Sequence, residues 1–240
     1  MSNENLFYLL IFFVFNFFLI KILFKTSFHL KVVGFFNMNH LVDSSFVPVY
    51  SGISYYLCLS LALFFCDIFL IEKNTVIFFL SISVIFIIGL IDDMIKISTF
   101  KKILFQLILS IFIVYSFNFD AIFLFPFISN YIVNYLFVII FILGVTNSIN
   151  LIDGIDNLAG CLSIIISLSF ISISYFLSYH SFDFIYLITI GSMLSHLIYN
   201  ILISRVFLGD SGSLVIGWIF AISSLFFLKQ SNSFTIHIPL

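Results

Sequence analysis

Charge is scarce in this chain: nine Lys plus Arg and eleven Asp plus Glu are all that 240 residues provide, 8% against a hydrophobic share of 62%. That excludes a water-soluble domain of this length, whose exterior would need far more polar side chains. Cysteine is nearly absent too. Cys58, Cys66 and Cys161 lie within or beside apolar segments and form no CxxC or other ligand spacing, so they read as packing residues rather than a metal or redox centre. The formal net charge of −2 gives no reason to expect a nucleic-acid partner. There is no internal repeat and no polar stretch long enough to form a separate soluble domain.

What is present is a series of apolar runs, each close to the roughly 20 residues a helix needs to cross a bilayer. Eight are expected as spans: Leu6 to Phe24, Gly52 to Ile71, Val76 to Ile91, Ile103 to Phe117, Tyr131 to Val145, Leu162 to Tyr179, Phe184 to Ile203 and Leu214 to Leu228. The first is too long for a signal-peptide core, has only Glu4 before it and no small-residue cleavage site after it, and is expected to be a membrane helix. The stretch Phe119 to Asn130, with Pro126 in it, is too short to span and is expected at the interface. The fold class is therefore all-α, a polytopic membrane helix bundle of about eight transmembrane helices, one integral membrane domain over residues 1–240.

Alternating spans divide the loops into two sets. One holds Lys21, Lys25, Lys31, Lys96, Lys101, Lys102 and Arg205, the other only Lys73 and Lys229. The positive-inside rule makes the first set cytoplasmic and puts the N-terminus outside. The rule ignores acids, yet Asp43, Asp92, Asp93, Asp153, Asp156 and Asp210 fall on that same side. Functional loops are accordingly expected at 25–51, 92–102, 146–161 and 204–213.

Three of these loops carry short acidic motifs: "GLIDDMIKIS", "NSINLIDGIDNLAG" and "FLGDSGSLVIGW". Gathered carboxylates repel one another unless a cation sits among them, and oxygen ligands without His or Cys suit a hard ion such as Mg2+. Each motif also has a plainer reading. Asp92 and Asp93 could solvate a helix end, although acids at a helix C-terminus oppose its dipole. Asp153 and Asp156, spaced i, i+3, could be N-caps, and so could Asp210, followed by Ser-Gly-Ser at the start of a span. The same Gly-containing helix start also offers backbone N–H groups to a phosphate.

In this order and at these intervals the segments resemble the polyprenyl-phosphate N-acetylhexosamine-1-phosphate transferases, the glycosyltransferase 4 family, over roughly Met38 to Leu240. "DDMIKIS" is similar to that family's aspartate-pair loop, "NSINLIDGIDNLAG" to its NxxNxxDGxDGLA segment, "YNILISRVFLGDSGSLVIG" to its FMGDxGSxxLG segment, and "HLVDSSFVPVYSGIS" more weakly to its first cytoplasmic loop. The resemblance implies an Mg2+-dependent phosphotransferase of the plasma (bacterial inner) membrane, multi-pass, with its active site at the cytoplasmic face. It would move a sugar 1-phosphate, GlcNAc-1-phosphate in first preference, from a UDP-sugar to undecaprenyl or another polyprenyl phosphate and release UMP, an opening step of peptidoglycan, lipopolysaccharide O-antigen or teichoic acid synthesis.

By the same resemblance Asp210 is a direct Mg2+ ligand, with Asn150 and Asp92 at the ion or its water shell. Asp92 or Asp93 is the base for the acceptor phosphate. Asn147, Asp153 and Asp156 line the nucleotide, Phe207 stacks on uracil, and Asn200 belongs to the same wall. Lys101 and Lys102 could hold lipid phosphate or anionic headgroups, and the headgroup reading is preferred for both. Asn157 stands where the family has Gly, a replacement that a left-handed backbone tolerates. In the first cytoplasmic loop only His40 stands in for the family's basic residues. The family's ninth helix and His-rich loop have no counterpart before Leu240, so an inactive or truncated remnant is the first alternative and a membrane transporter the second. A homodimer is left open.

Overall fold

The computed structural model describes residues 3–30, 50–65, 73–119, 130–155 and 157–235. Among them there are eight helices and no strand: α1 (Asn3–Leu30), α2 (Ser51–Phe65), α3 (Lys73–Ile95), α4 (Thr99–Phe117), α5 (Tyr131–Ile152), α6 (Leu158–Phe176), α7 (Asp183–Leu202) and α8 (Gly209–Thr235). Each corresponds to one of the expected spans. Seven are long and apolar enough to cross a membrane, and α2 is a shorter apolar helix. Large apolar side chains such as Phe18, Phe105, Phe112, Ile140 and Ile165 are left exposed, which suits a surface facing lipid rather than water. The protein is a multi-pass membrane helix bundle. The expected interfacial stretch Phe119 to Asn130 and most of the 25–51 loop, with Asp43 and His40, lie outside the described residues.

The helices alternate in direction. Gly52 N–H at the start of α2 donates to Leu208 O just before α8, at 3.0 Å. Further side-chain bonds, given below, join the C-terminal ends of α3, α5 and α7 to the N-terminal ends of α4, α6 and α8. Helix α1 runs alongside α7, Tyr8 meeting Phe184 and Phe24 meeting Tyr199 with ring centroids 5.6 and 6.1 Å apart. The N-terminal end of α1 therefore lies at the end of the bundle opposite those junctions.

At the centre stands α8, 83% of whose apolar stretch is buried, against 17% for the peripheral α1. Glycines let its neighbours approach. A methyl group added at Gly52 of α2 would come within 2.4 Å of Gly212 N, one at Gly89 of α3 within 2.5 Å of Asp210 O, and one at Gly217 of α8 within 2.7 Å of Thr146 O in α5. Close backbone approach of this kind drives association where lipid is as apolar as the helices themselves. Buried polar bonds fix the register: Trp218 Nε1 donates to Ser81 Oγ at 3.0 Å, Tyr55 and Thr189 hydroxyls pair at 2.9 Å, and Asn16 Nδ2 donates to Ser195 Oγ at 2.6 Å.

In one respect the sequence expectation is corrected. The segments read as loops at 92–102, 146–161 and 204–213 are in large part helix ends: α3 runs on to Ile95, α4 begins at Thr99, α5 runs on to Ile152, and α8 begins at Gly209. Their polar residues break the hydropathy pattern without breaking the helix, because neighbouring helices supply hydrogen-bond partners.

Candidate functional site

Asp92 and Asp93 sit one turn from the C-terminal end of α3, and their carboxylates do different things. Asp93 reaches across to the start of α8. Its Oδ1 accepts the Asp210 N–H and its Oδ2 the Ser211 N–H, each at 2.9 Å. The unfavourable placement of an acid at one helix's C-terminus is thus resolved by a second helix, whose first N–H groups need an acceptor and whose dipole favours negative charge there. Asp210 is consequently not the cap of α8, one of the two readings open from sequence; it lies within the first turn and its carboxylate is free to face elsewhere. Gly209, at φ 74°, provides the left-handed turn that brings the chain into α8.

Asp92 is anchored by one oxygen, Oδ1 accepting the Ile97 N–H at 2.8 Å. Asp210 is likewise anchored through Oδ1, by Asn150 Nδ2 at 2.7 Å, and Asn150 Nδ2 is held also by Ser213 Oγ at 2.9 Å. The second oxygens of both acids then turn to one point. Lys102 Nζ occupies it, 2.8 Å from Asp92 Oδ2, 2.7 Å from Asp210 Oδ2 and 3.4 Å from Asn150 Oδ1. Four helices thus contribute to one cluster of hard oxygen donors around a single positive charge: α3, α4, α5 and α8. Among the described residues no three His, Cys, Asp or Glu side chains are grouped as a metal centre; the oxygen set here is two carboxylates and an amide.

This is the largest departure from the sequence reading of individual residues. Lys102 is not at the lipid headgroups. It is 9% exposed and lies at the middle of the acids, while its neighbour Lys101 is exposed. A signal was available: Lys102, Gln106 and Ser110 recur at helical spacing along one face of α4, and all three are buried. Gln106, also missed, accepts a 2.6 Å bond from Asn147 Nδ2 and holds that residue one turn before Asn150.

Asp153 caps the C-terminal end of α5 and is partly buried beside Gly209. Burial first, and then the Asp210 carboxylate, push its pKa up from the ordinary 3.8 to about 7, although the Gly209 N–H favours the charged form. Asn157 adopts the left-handed conformation at φ 63°, as the substitution of Asn for Gly there suggests, and its Oδ1 accepts Asn200 Nδ2 at 2.6 Å. Asn200 Oδ1 in turn accepts the Val206 N–H at 3.2 Å, so Asn200 shapes the segment leading to α8. Phe207, read as a platform for uracil, is only 8% exposed and offers little ring face to a base in this conformation. Asp156 lies outside the described residues.

These features define a class: a multi-pass helical membrane protein whose polar chemistry is concentrated at one end, around the start of its innermost helix. The sequence pattern of glycosyl transferase family 4 matches residues 75–228, which include every element of this cluster, and the chain belongs to that family. It is 36% identical over 163 residues to a probable undecaprenyl-phosphate N-acetylglucosaminyl 1-phosphate transferase of Bacillus subtilis, covering 65% of this chain and 45% of the relative. It is 30% identical over 197 residues to a phospho-N-acetylmuramoyl-pentapeptide-transferase of Staphylococcus epidermidis, covering 74% of this chain and 61% of that protein. A Staphylococcus aureus protein of the same name is 32% identical over an equal span. The chain thus spans about half to three-fifths of the length of these curated relatives.

Proposed function

We propose that this protein transfers a sugar 1-phosphate, GlcNAc-1-phosphate in first preference, from a UDP-sugar to a membrane polyprenyl phosphate with release of UMP, as a step in building cell-envelope glycan. The single observation that carries the reading is the convergence of Asp92, Asn150 and Asp210 on one cation position at the end of the bundle. The names of the relatives support undecaprenyl phosphate as the acceptor and N-acetylglucosaminyl 1-phosphate or phospho-N-acetylmuramoyl-pentapeptide as the group transferred.

Asp92, Asn150 and Asp210 would hold Mg2+. Their all-oxygen chemistry fits it, and the ion would supply neutralisation of a diphosphate and of the charge that develops on the leaving phosphate. The protein's own part is positioning. Asp93, committed to the start of α8, sets where the Asp210 carboxylate points. Of the pair, Asp92 is the one that would meet the acceptor phosphate, since its Oδ2 faces the cation position whereas both oxygens of Asp93 cap the start of α8. Asn147 and Asp153 face the nucleotide side, and Asn200 orders the approach to α8. The basic residues Lys96, Lys101, Lys102 and Arg205 stand near this same end, which supports a cytoplasmic active site in the plasma membrane. The acids lie at helix ends rather than half-way along the spans, which disfavours the transporter reading.

The test is UMP release by membranes containing the protein, supplied with UDP-GlcNAc, undecaprenyl phosphate and Mg2+, beside Asp210→Asn. Release that exceeds empty membranes and depends on Asp210 is expected. Equal release from both proteins overturns the reading, and UDP-N-acetylmuramoyl-pentapeptide in place of UDP-GlcNAc tests the choice of sugar.

A further inference from the structure

Lys102 raises a problem of space. Its ammonium stands 2.7 to 2.8 Å from the two carboxylate oxygens that face the centre of the cluster. Mg2+ binds oxygen at about 2.0–2.1 Å and demands near-octahedral geometry. One point cannot hold both cations, and the oxygens that would ligate the metal are the ones already engaged by the ammonium. If the metal is bound as set out above, Lys102 must leave.

The surroundings are arranged for such an exchange. Asp92 and Asp210 are each fixed through Oδ1 by a partner other than the lysine, the Ile97 N–H and Asn150 Nδ2, while Oδ2 of each is given to the ammonium. Removal of the ammonium leaves the carboxylates aimed as they were. Lys102 itself sits in the first turn of α4, flanked by exposed Phe100 and Lys101, so rotation of its flexible stem carries the charge outward without moving the backbone.

We propose that Lys102 is a resident substitute for the metal, neutralising Asp92 and Asp210 until a divalent cation displaces its ammonium. The inference rests on the metal reading under Proposed function and adds a cost to metal binding: the incoming ion competes with a charge tethered in place. Divalent affinity in the absence of substrate is then weaker than the oxygen set alone would give. The released ammonium needs a new anionic partner, so metal and a diphosphate bind more tightly together than separately.

Mn2+ is the probe, its binding to the purified full chain in detergent read from loss of the free-ion electron paramagnetic resonance signal. Lys102→Met keeps the length of the side chain and removes the charge; Lys102→Arg keeps the charge. Lys102→Met is expected to bind Mn2+ at least about tenfold more tightly than wild type, the scale of one close charge interaction, and Lys102→Arg no more tightly than wild type. The thermal midpoint of metal-free Lys102→Met should fall and be restored by Mg2+, with wild type shifting much less. Should metal-free Lys102→Met fail to survive purification, the protein is prepared in Mg2+ and then chelated; unfolding on chelation of this variant alone supports the exchange. Equal Mn2+ affinity in wild type and Lys102→Met overturns the exchange and leaves the metal reading standing. No Mn2+ binding by any of the three proteins overturns both.

Discussion

The two ends of α8 are packed by different rules. Around Gly209 to Gly217, backbone meets backbone and directed hydrogen bonds fix the acids, from the Asp93 cap to the Asn150 amide. Around Phe226 and Phe227, aromatic rings meet at many angles: Phe226 lies 5.0 Å from Phe117 and from Phe119, and Phe227 lies 5.6 Å from Phe170 and 5.8 Å from Tyr179. Ring packing depends on volume and tolerates exchange of one apolar shape for another. Backbone contact and directed hydrogen bonds do not. The difference teaches where chemistry is placed in such a bundle: at the end whose geometry is over-determined, so that carboxylates keep their aim.

If that contrast is correct, substitutions at the two ends should differ in kind and in size. Asp210→Asn has the largest expected effect, a loss of about a thousandfold in UMP release, because a preorganised charge at the reacting phosphate is removed. Gly52→Ala follows, with about 3 kcal/mol of lost stability in denaturant titration in detergent, since the two atoms nearest the new methyl group, Gly212 N and Leu208 O, are backbone. Asp93→Asn should cost about 1–2 kcal/mol, as an amide oxygen can satisfy only one of the two N–H groups it now caps. Phe226→Leu at the aromatic end should cost about 1 kcal/mol by the same measurement. A Phe226→Leu penalty as large as that of Gly52→Ala would break the contrast.

A further effect is one of pH. Asp153, with its pKa raised from 3.8 to about 7, holds a proton in the folded protein that the unfolded chain has already released. Stability contributed by this group is therefore present below about pH 4 and declines as pH rises towards 7. Asp153→Asn removes that slope, so the variant's thermal midpoint relative to wild type should be higher at pH 8 than at pH 5. A constant difference across that range would place the Asp153 carboxylate in a wetter setting than the structure gives it.

Much of this was legible in the residues. Apolar runs gave all eight helices, and the distribution of Lys, Arg and Asp brought the acidic motifs to one end before any contact was visible. Helix ends were misjudged where polar residues such as Asn147 and Asn150 looked like loop and are helical, because their partners, Gln106 and Asp210, are distant in sequence. The separate tasks of Asp92 and Asp93 could not be read either, since adjacent identical residues are told apart only by what they face. Lys102 was misjudged for a related reason: a lysine near a span end suits a headgroup as well as an acid cluster, and only the fold of α4 against α3 and α8 decides between them.

The central position of α8 also bears on biosynthesis. A chain made from its N-terminus has α2, α3 and α5 in the bilayer before α8 leaves the ribosome. Until then the Asp93 carboxylate lacks the Asp210 and Ser211 amides, and Gly52 and Gly89 lack the α8 backbone they pack against. Insertion of α8 is thus the event that brings the Asp93 carboxylate its amides and the glycines of α2 and α3 their backbone partner.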